Sequence, residues 1–495
     1  MSPKPDSRQM DRTFLGGMAW TAGAKWVTQV FTWVSLFLAA RLLSPSDFGM
    51  VEMAGFVTVI ATVLAEFGIG TAVLQMQELD RRVLAQIHTV AFAMGCATFL
   101  LAAAISPWMA DFFHNPSLQL LVVINSSGFL IMALQTVPQG LLQRDLDYRR
   151  LSIAEAVQAF LQALSTVLAA WLGYGYWSLV IAVLVSRTAN TAMLLWWKPI
   201  PFAWPRWSEV VKPLHFGTQV ALSRVTNAVY SQLDAIVIGR FLGDHSLGIY
   251  RLALNLASAP AEKIGFLLMR VTGPFFARLQ DDPAQMRRYF FGISEGLSFA
   301  MIPLVCGMAA LAPLIVVTCF GPQWLPAAPA VQFLSLFMAI RSFISLMQQL
   351  LTSLRLTRFL LNMSLLSFVV MPVFFYFLVP YGIGPIASAW LLATPLTSLP
   401  ILVVLARRLD FSILAYGREL VPAMLSAGVM TITVLLLQSV LPAHWANALR
   451  LALLVGTGGL VYTAILWFGF QPRIRRFIDL FKRLRSPDSP AAAVQ

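Results

Sequence analysis

Apolar residues run through this chain in long blocks that repeat from one end to the other. A helix needs roughly 20 mostly apolar residues to cross a bilayer. On that measure the blocks predict membrane spans near 15–43, 48–75, 84–110, 118–142, 153–172, 177–197 and 213–242. Seven more follow near 248–275, 289–318, 329–353, 359–379, 385–405, 420–441 and 448–468. Membrane β-strands would alternate polar and apolar positions, and these blocks do not. The expectation is an all-α integral membrane protein with about fourteen transmembrane helices. The first block, from Leu15 to Leu43, is too long for a signal-peptide core and ends without a small-residue cleavage site, so no cleavable leader is expected.

Composition agrees. Hydrophobic residues make up 58% of the 495 residues and charged residues 12%, about half the charge of an ordinary soluble protein. The net charge of +13 could suggest a nucleic-acid partner, but its distribution says otherwise. With the first residue placed on the cytoplasmic side, 25 of the 35 Lys and Arg residues fall in the N-terminal tail, in alternate loops or in the C-terminal tail. The opposite loops are Ser44–Asp47, Asp111–Ser117, Gly173–Tyr176, Gly243–Leu247, Cys319–Ala328, Pro380–Gly384 and Pro442–Asn447, and none carries a Lys or Arg. That asymmetry obeys the positive-inside rule at every loop. It predicts an even number of spans, both termini cytoplasmic and no nucleic acid as partner. The three cysteines, Cys96, Cys306 and Cys319, are too few for a disulfide framework and read as free thiols.

Residues 37–54 and 236–253 line up at an offset of 199, with Arg41 on Arg240, Leu43 on Leu242, Gly49 on Gly248 and Ala54 on Ala253. Tyr174-Gly175 and Tyr381-Gly382 repeat at an offset of 207. Such offsets predict two parallel six-helix lobes, as in other two-lobed transporters, with a substrate path between them. The expected organisation is a cytoplasmic tail at 1–12, an N-lobe at 13–197, a cytoplasmic linker at 198–212, a C-lobe at 213–405, two further spans within 406–470 and a basic cytoplasmic tail at 471–495. In that tail Ile474, Phe477, Ile478, Phe481 and Leu484 form one stripe among arginines and lysines, the pattern of a helix lying on an anionic membrane surface.

Ten cations remain inside the spans: Lys25, Arg41, Arg187, Arg224, Arg240, Arg251, Lys263, Arg270, Arg341 and Arg450. A charge at the centre of a bilayer costs about 2.5–3.5 kcal/mol on insertion scales, so each needs a partner or a wet cavity. At the offset of 199, Lys25 falls on Arg224. Those two, with Arg251 and Arg270 in span 8, are the candidates for a cationic cavity that takes an anionic head group. Arg41 and Arg240 read better as ties at the membrane edge, and Arg187, Arg341 and Arg450 as links between helices. Glu52, Glu66, Asp234 and Glu262 are candidates for binding a coupling ion or for pairing with these arginines. Gly68, Gly70, Pro138, Pro260, Pro303 and Pro372 fall within spans, where kinks would give points of flexing.

The loops without Lys or Arg reach only about a dozen residues, leaving little room for the catalytic groups of a membrane glycosyltransferase or polymerase. No Walker A, H-E-x-x-H or C-x-x-C pattern occurs, and no cofactor, metal or catalytic residue is expected.

Four stretches carry a resemblance. They are Ala40-Arg41-Leu42-Leu43-Ser44-Pro45-Ser46-Asp47-Phe48-Gly49, Pro138-Gln139-Gly140-Leu141-Leu142-Gln143-Arg144-Asp145-Leu146-Asp147-Tyr148, Leu172-Gly173-Tyr174-Gly175-Tyr176-Trp177-Ser178-Leu179-Val180 and Asp234-Ala235-Ile236-Val237-Ile238-Gly239-Arg240. In this order the chain resembles, from about residue 13 to 470, the polysaccharide-transporter branch of the multidrug/oligosaccharidyl-lipid/polysaccharide exporter superfamily. The resemblance implies a Wzx-type flippase in the bacterial inner membrane. It would move undecaprenyl-diphosphate-linked repeat units by alternating access, for exopolysaccharide, O-antigen or lipopolysaccharide assembly. Its partners would be the lipid-linked oligosaccharide, membrane lipid, a proton or sodium ion, and polymerase or chain-length proteins. Two other readings stay open at this point, an ion-coupled small-molecule antiporter of the same superfamily and a membrane polymerase or ligase.

Overall fold

The computed structural model describes residues 7–66, 73, 80–206, 229–280, 282–442 and 444–473. Every regular element among them is a helix. Ten described helical stretches are long and apolar enough to cross a membrane, so the chain is a multi-pass membrane protein. A total of fourteen is compatible with this. Each of the other four expected spans includes residues, or side chains, outside the described set.

The chain divides into two compact units, Met1–Gly248 and Ile249–Gln495. In unit 1 the helices are α1 (Ser7–Leu42), α2 (Pro45–Glu66), α3 (Arg81–Phe112), α4 (Ser117–Ser126), α5 (Gly128–Arg144), α6 (Tyr148–Trp171) and α7 (Trp177–Trp197). Helix α1 begins at residue 7 rather than near 15, because the polar stretch before the apolar run continues the same helix. Helices α4 and α5 are one expected span, interrupted only at Ser127. Helix starts are set by short polar side chains. The Asp80 carboxylate accepts from Arg82 N–H at 2.9 Å and Asp147 from Arg150 N–H at 3.2 Å, satisfying amides that a first helical turn leaves without a partner.

Packing in unit 1 runs from α1 to α6, α7, α5, α3 and α2. One apolar cluster joins α1 to α6 through Ala39, Leu43 and Ala170. Another joins α3 to α5 through Leu84, Ile87, Ala91 and Val137.

Helix α8 (Leu233–Arg278) takes in the end of one expected span and the whole of the next. The expected loop at 243–247 shrinks to a kink at Gly243, whose φ of 80° lies in the region where an L side chain is strained. Residues 244–248 then turn back onto the first hairpin, which is why they group with unit 1.

Unit 2 contains α9 (Pro283–Cys319), α10 (Ala328–Ser353), α11 (Thr357–Leu378), α12 (Ile383–Arg408), α13 (Ile413–Val440) and α14 (Asn447–Gly469). Its core gathers Phe276, Phe290, Met301, Leu350, Leu405 and Tyr416 from five helices. The last two spans pack on α9, through Leu311, Leu314, Met430, Val434, Leu454 and Tyr462. Pro138, Pro303 and Pro372 lie inside their helices without ending them. Gly68 and Gly70, and the amphipathic stripe of the tail, lie outside the described residues.

Candidate functional site

The sequence singles out cations within spans, and the structure treats them differently. Lys25 is exposed on α1. It stands within electrostatic reach of Glu155 on α6, so its charge is partly balanced from inside unit 1. The two helices run side by side in the same direction. Their neighbouring ends meet at Ala39 and Ala170, and halfway along Phe31 meets the edge of Phe160 with ring centres 5.4 Å apart.

Arg224 lies outside the described residues, as do the side chains of Arg270 and Glu66. Arg251 is half-buried on α8 in unit 2. Its neighbour Tyr250 is fully buried and accepts a hydrogen bond from Trp390 Nε1 at 2.9 Å. Phe337 stacks on Trp390 at 4.9 Å and Phe375 meets it edge-on at 5.3 Å. This aromatic cluster fixes the turn of α8 that carries Arg251.

The carboxylates separate as well. Asp234 is buried, with Oδ1 accepting the N–H of Ala235 at 2.8 Å. Glu52 is half-buried on α2. Glu262 is exposed and makes no hydrogen bond or ion pair among the described residues.

Arg240 acts as a tie. Its guanidinium meets both ring nitrogens of His114, at 2.9 Å for Nε2, and lies 5.4 Å from the centre of the Phe112 ring. Arg187 reaches from α7 to Gly128 on α5. It makes no hydrogen bond or ion pair among the described residues, and its Nη1 occupies the space that a Cβ on Gly128 would enter.

Three features had no counterpart in the sequence reading. First, Arg473 bridges two carboxylates, Glu295 on α9 at 3.2 Å and Glu419 on α13. Glu295 is only 4% exposed, so this ion triad holds the root of the basic tail against unit 2. Second, the segment after α7 is strapped to α3. Thr89 Oγ1 accepts from Ala203 N–H and Gln86 Oε1 from Arg206 N–H, both at 3.0 Å. Phe202 covers the buried His88 at 4.9 Å. Third, α6 carries a row of polar residues beside Lys25. Helical spacing of Gln and Ser in span 5 was the available signal for that row, and a search confined to charged residues passes over it.

Among the described residues, no group of three or more His, Cys, Asp and Glu side chains could hold a metal ion.

Residues 38–329 match the family described as polysaccharide biosynthesis protein. The succinoglycan biosynthesis transport protein ExoT of Rhizobium meliloti is 25% identical over the full length of both chains. The teichuronic acid biosynthesis protein TuaB of Bacillus subtilis is 25% identical, over 67% of this chain and 69% of its own. The lipopolysaccharide biosynthesis protein WzxC of Escherichia coli is 24% identical, over 66% of this chain and 67% of its own. Among solved structures, the lipid II flippase MurJ in an inward closed conformation superposes with a TM-score of 0.72 at 12% identity, covering 92% of this chain and 99% of that one. An inward-facing multidrug resistance transporter of the MATE family gives 0.62 at 14% identity, covering 79% and 96%. At such identities these two structures establish the fold.

Proposed function

Because the chain belongs to the polysaccharide biosynthesis protein family, we propose that it is a flippase. Its substrate is the undecaprenyl-diphosphate-linked repeat unit of a bacterial surface polysaccharide, carried across the inner membrane by alternating access. The chain performs no covalent chemistry in this reading. Both termini lie in the cytoplasm, as the distribution of Lys and Arg directs.

The observation that carries the proposal is Lys25. It is an exposed cation on a membrane helix of 36 residues, in a family concerned with polysaccharide assembly. A diphosphate is costly to bring into a low-dielectric region unless cations meet it. Lys25 offers such a charge, within electrostatic reach of Glu155 and able to meet phosphate on binding. Arg224, Arg251 and Arg270 are the remaining cations assigned to the head group, and the polyprenyl tail stays in lipid. The names of the relatives support the substrate class: one is a transport protein of succinoglycan biosynthesis, and the MurJ structure is that of a lipid II flippase.

The test is to delete the gene in its native host and return either the wild type or a Lys25→Ala, Arg224→Ala variant at equal membrane abundance. The wild type restores surface polysaccharide and the variant does not. Restoration by both removes the cation assignment. Undiminished polysaccharide in the deletion strain removes the flippase reading.

A further inference from the structure

Leu151, Glu155, Gln162 and Ala169 follow one another on α6 at steps of four, seven and seven residues, so they share one side of the helix. Leu151 and Ala169 are buried, whereas Glu155 and Gln162 are exposed. The packed side of α6 is thus closed at both ends and open in the middle. On α1, Lys25, Thr32 and Ala39 succeed one another at steps of seven; Lys25 and Thr32 are exposed and Ala39 is buried, so this side opens next to the same closed end.

The open stretch is polar on both helices. On α6 it runs Glu155, Gln158, Gln162, Ser165, about 15 Å at 1.5 Å per residue. The amides of Gln158 and Gln162 make no hydrogen bond among the described residues. The exposed apolar residues of the helix, Phe160, Leu164, Leu168 and Trp171, lie on its other side. Among the described residues, Gln158 and Gln162 therefore neither tie helices together nor stand with the residues suited to lipid. In a membrane span, a carboxamide in that position requires water or a ligand as its partner.

We propose that this row is a binding track for the glycan portion of the substrate, with Gln158 and Gln162 hydrogen-bonding sugar hydroxyls and setting which repeat units are accepted. A carboxamide offers two donors and a two-lone-pair acceptor in one plane, which suits the hydroxyls of a neutral sugar. Lys25 stands within electrostatic reach of Glu155 at one end and the rest of the row is uncharged, so the row attracts polar matter without demanding a charge. With the diphosphate at Lys25, the sugars attached to it enter the row directly.

The inference rests on the flippase reading and can fail separately from it. Wild type and a Gln158→Leu, Gln162→Leu variant are placed in nanodiscs. Each is offered undecaprenyl diphosphate alone and the same lipid carrying the repeat unit, purified from the native host, with bound lipid counted by native mass spectrometry. The wild type prefers the glycosylated lipid. The variant loses at least tenfold of that preference and still binds the bare lipid, and Gln158→Asn, Gln162→Asn recovers part of the loss. An unchanged preference in the variant overturns the track, as does equal loss of both lipids at an unchanged thermal transition. Wild type binding neither lipid overturns the flippase reading first and the track with it.

Discussion

The hydroxyl of Ser46 lies 3.5 Å from Nδ1 of His245, a residue 199 positions later in the chain, and 199 is also the offset that aligns the two halves of the sequence. Around this pair the contacts are reciprocal. A Cβ on Gly49 would sit 1.8 Å from the carbonyl oxygen of Asp244, and one on Gly248 would sit 1.9 Å from that of Pro45. Pro45 and Asp244 are themselves 199 apart. Repeat-related turns thus touch backbone to backbone inside unit 1.

Gly49→Ala and Gly248→Ala should each destabilise the protein, because the clash is with main chain that cannot swing aside. Overpacking of this kind costs about 1–3 kcal/mol. A thermal transition measured in detergent should fall by several degrees for either variant. Gly428→Ala, which meets open space within a helix, should not lower it, since Ala favours a helix over Gly.

Arg473→Ala should loosen the last two spans. It strips the counter-charge from Glu295, which is 4% exposed, and losing one partner of a buried pair costs up to about 3–5 kcal/mol. Arg473 itself is 28% exposed, so solvent screening places the expected loss nearer about 1–2 kcal/mol. Adding Glu295→Gln to Arg473→Ala should recover part of the lost stability in the same thermal assay.

Thr89→Val with Gln86→Leu should free the segment after α7, since the two substitutions remove the acceptors of Ala203 N–H and Arg206 N–H. Brief tryptic digestion of membranes from the cytoplasmic side should then cut after Arg206, which is followed by Trp207, several times faster than in the wild type. Equal cutting rates would mean that the strap does not hold.

Reporter fusions check the orientation. A phosphatase reporter, active only outside the cytoplasm, should be inactive when fused after Arg408 and active when fused after Pro442, with a fluorescent reporter showing the opposite pattern.

The helical spans that the structure describes were legible in the sequence because the bilayer enforces their length and apolarity. Length and hydropathy set where a helix can cross, and the loops at Ser44–Asp47 and Asp111–Ser117 carry no Lys or Arg whatever their local structure. The offset of 199 was legible because Gly49 and Gly248 occupy a contact that admits no side chain. Other features depend on which helices become neighbours. Arg473 reads as one more basic residue of a tail until Glu295, 178 positions away, is beside it. Lys25 reads as an isolated cation until α6 brings Glu155 near. Arg187 reads as a link between helices, but its neighbour is Gly128, which has no side chain to offer it. Gln158 and Gln162 carry no charge, and their meaning appears only when the packed side of α6 is seen to open around them.

The most direct test of the flippase account is the sidedness of the lipid-linked repeat units themselves. In spheroplasts of the native host, a membrane-impermeant glycan oxidant reaches only units on the outer face. With the wild-type protein present, a substantial share of the units should be oxidised. After deletion of the gene the units should accumulate and remain protected, and re-expression should restore their exposure. If units are still made and are oxidised to the same extent without the protein, it does not move them across the membrane and the account is wrong.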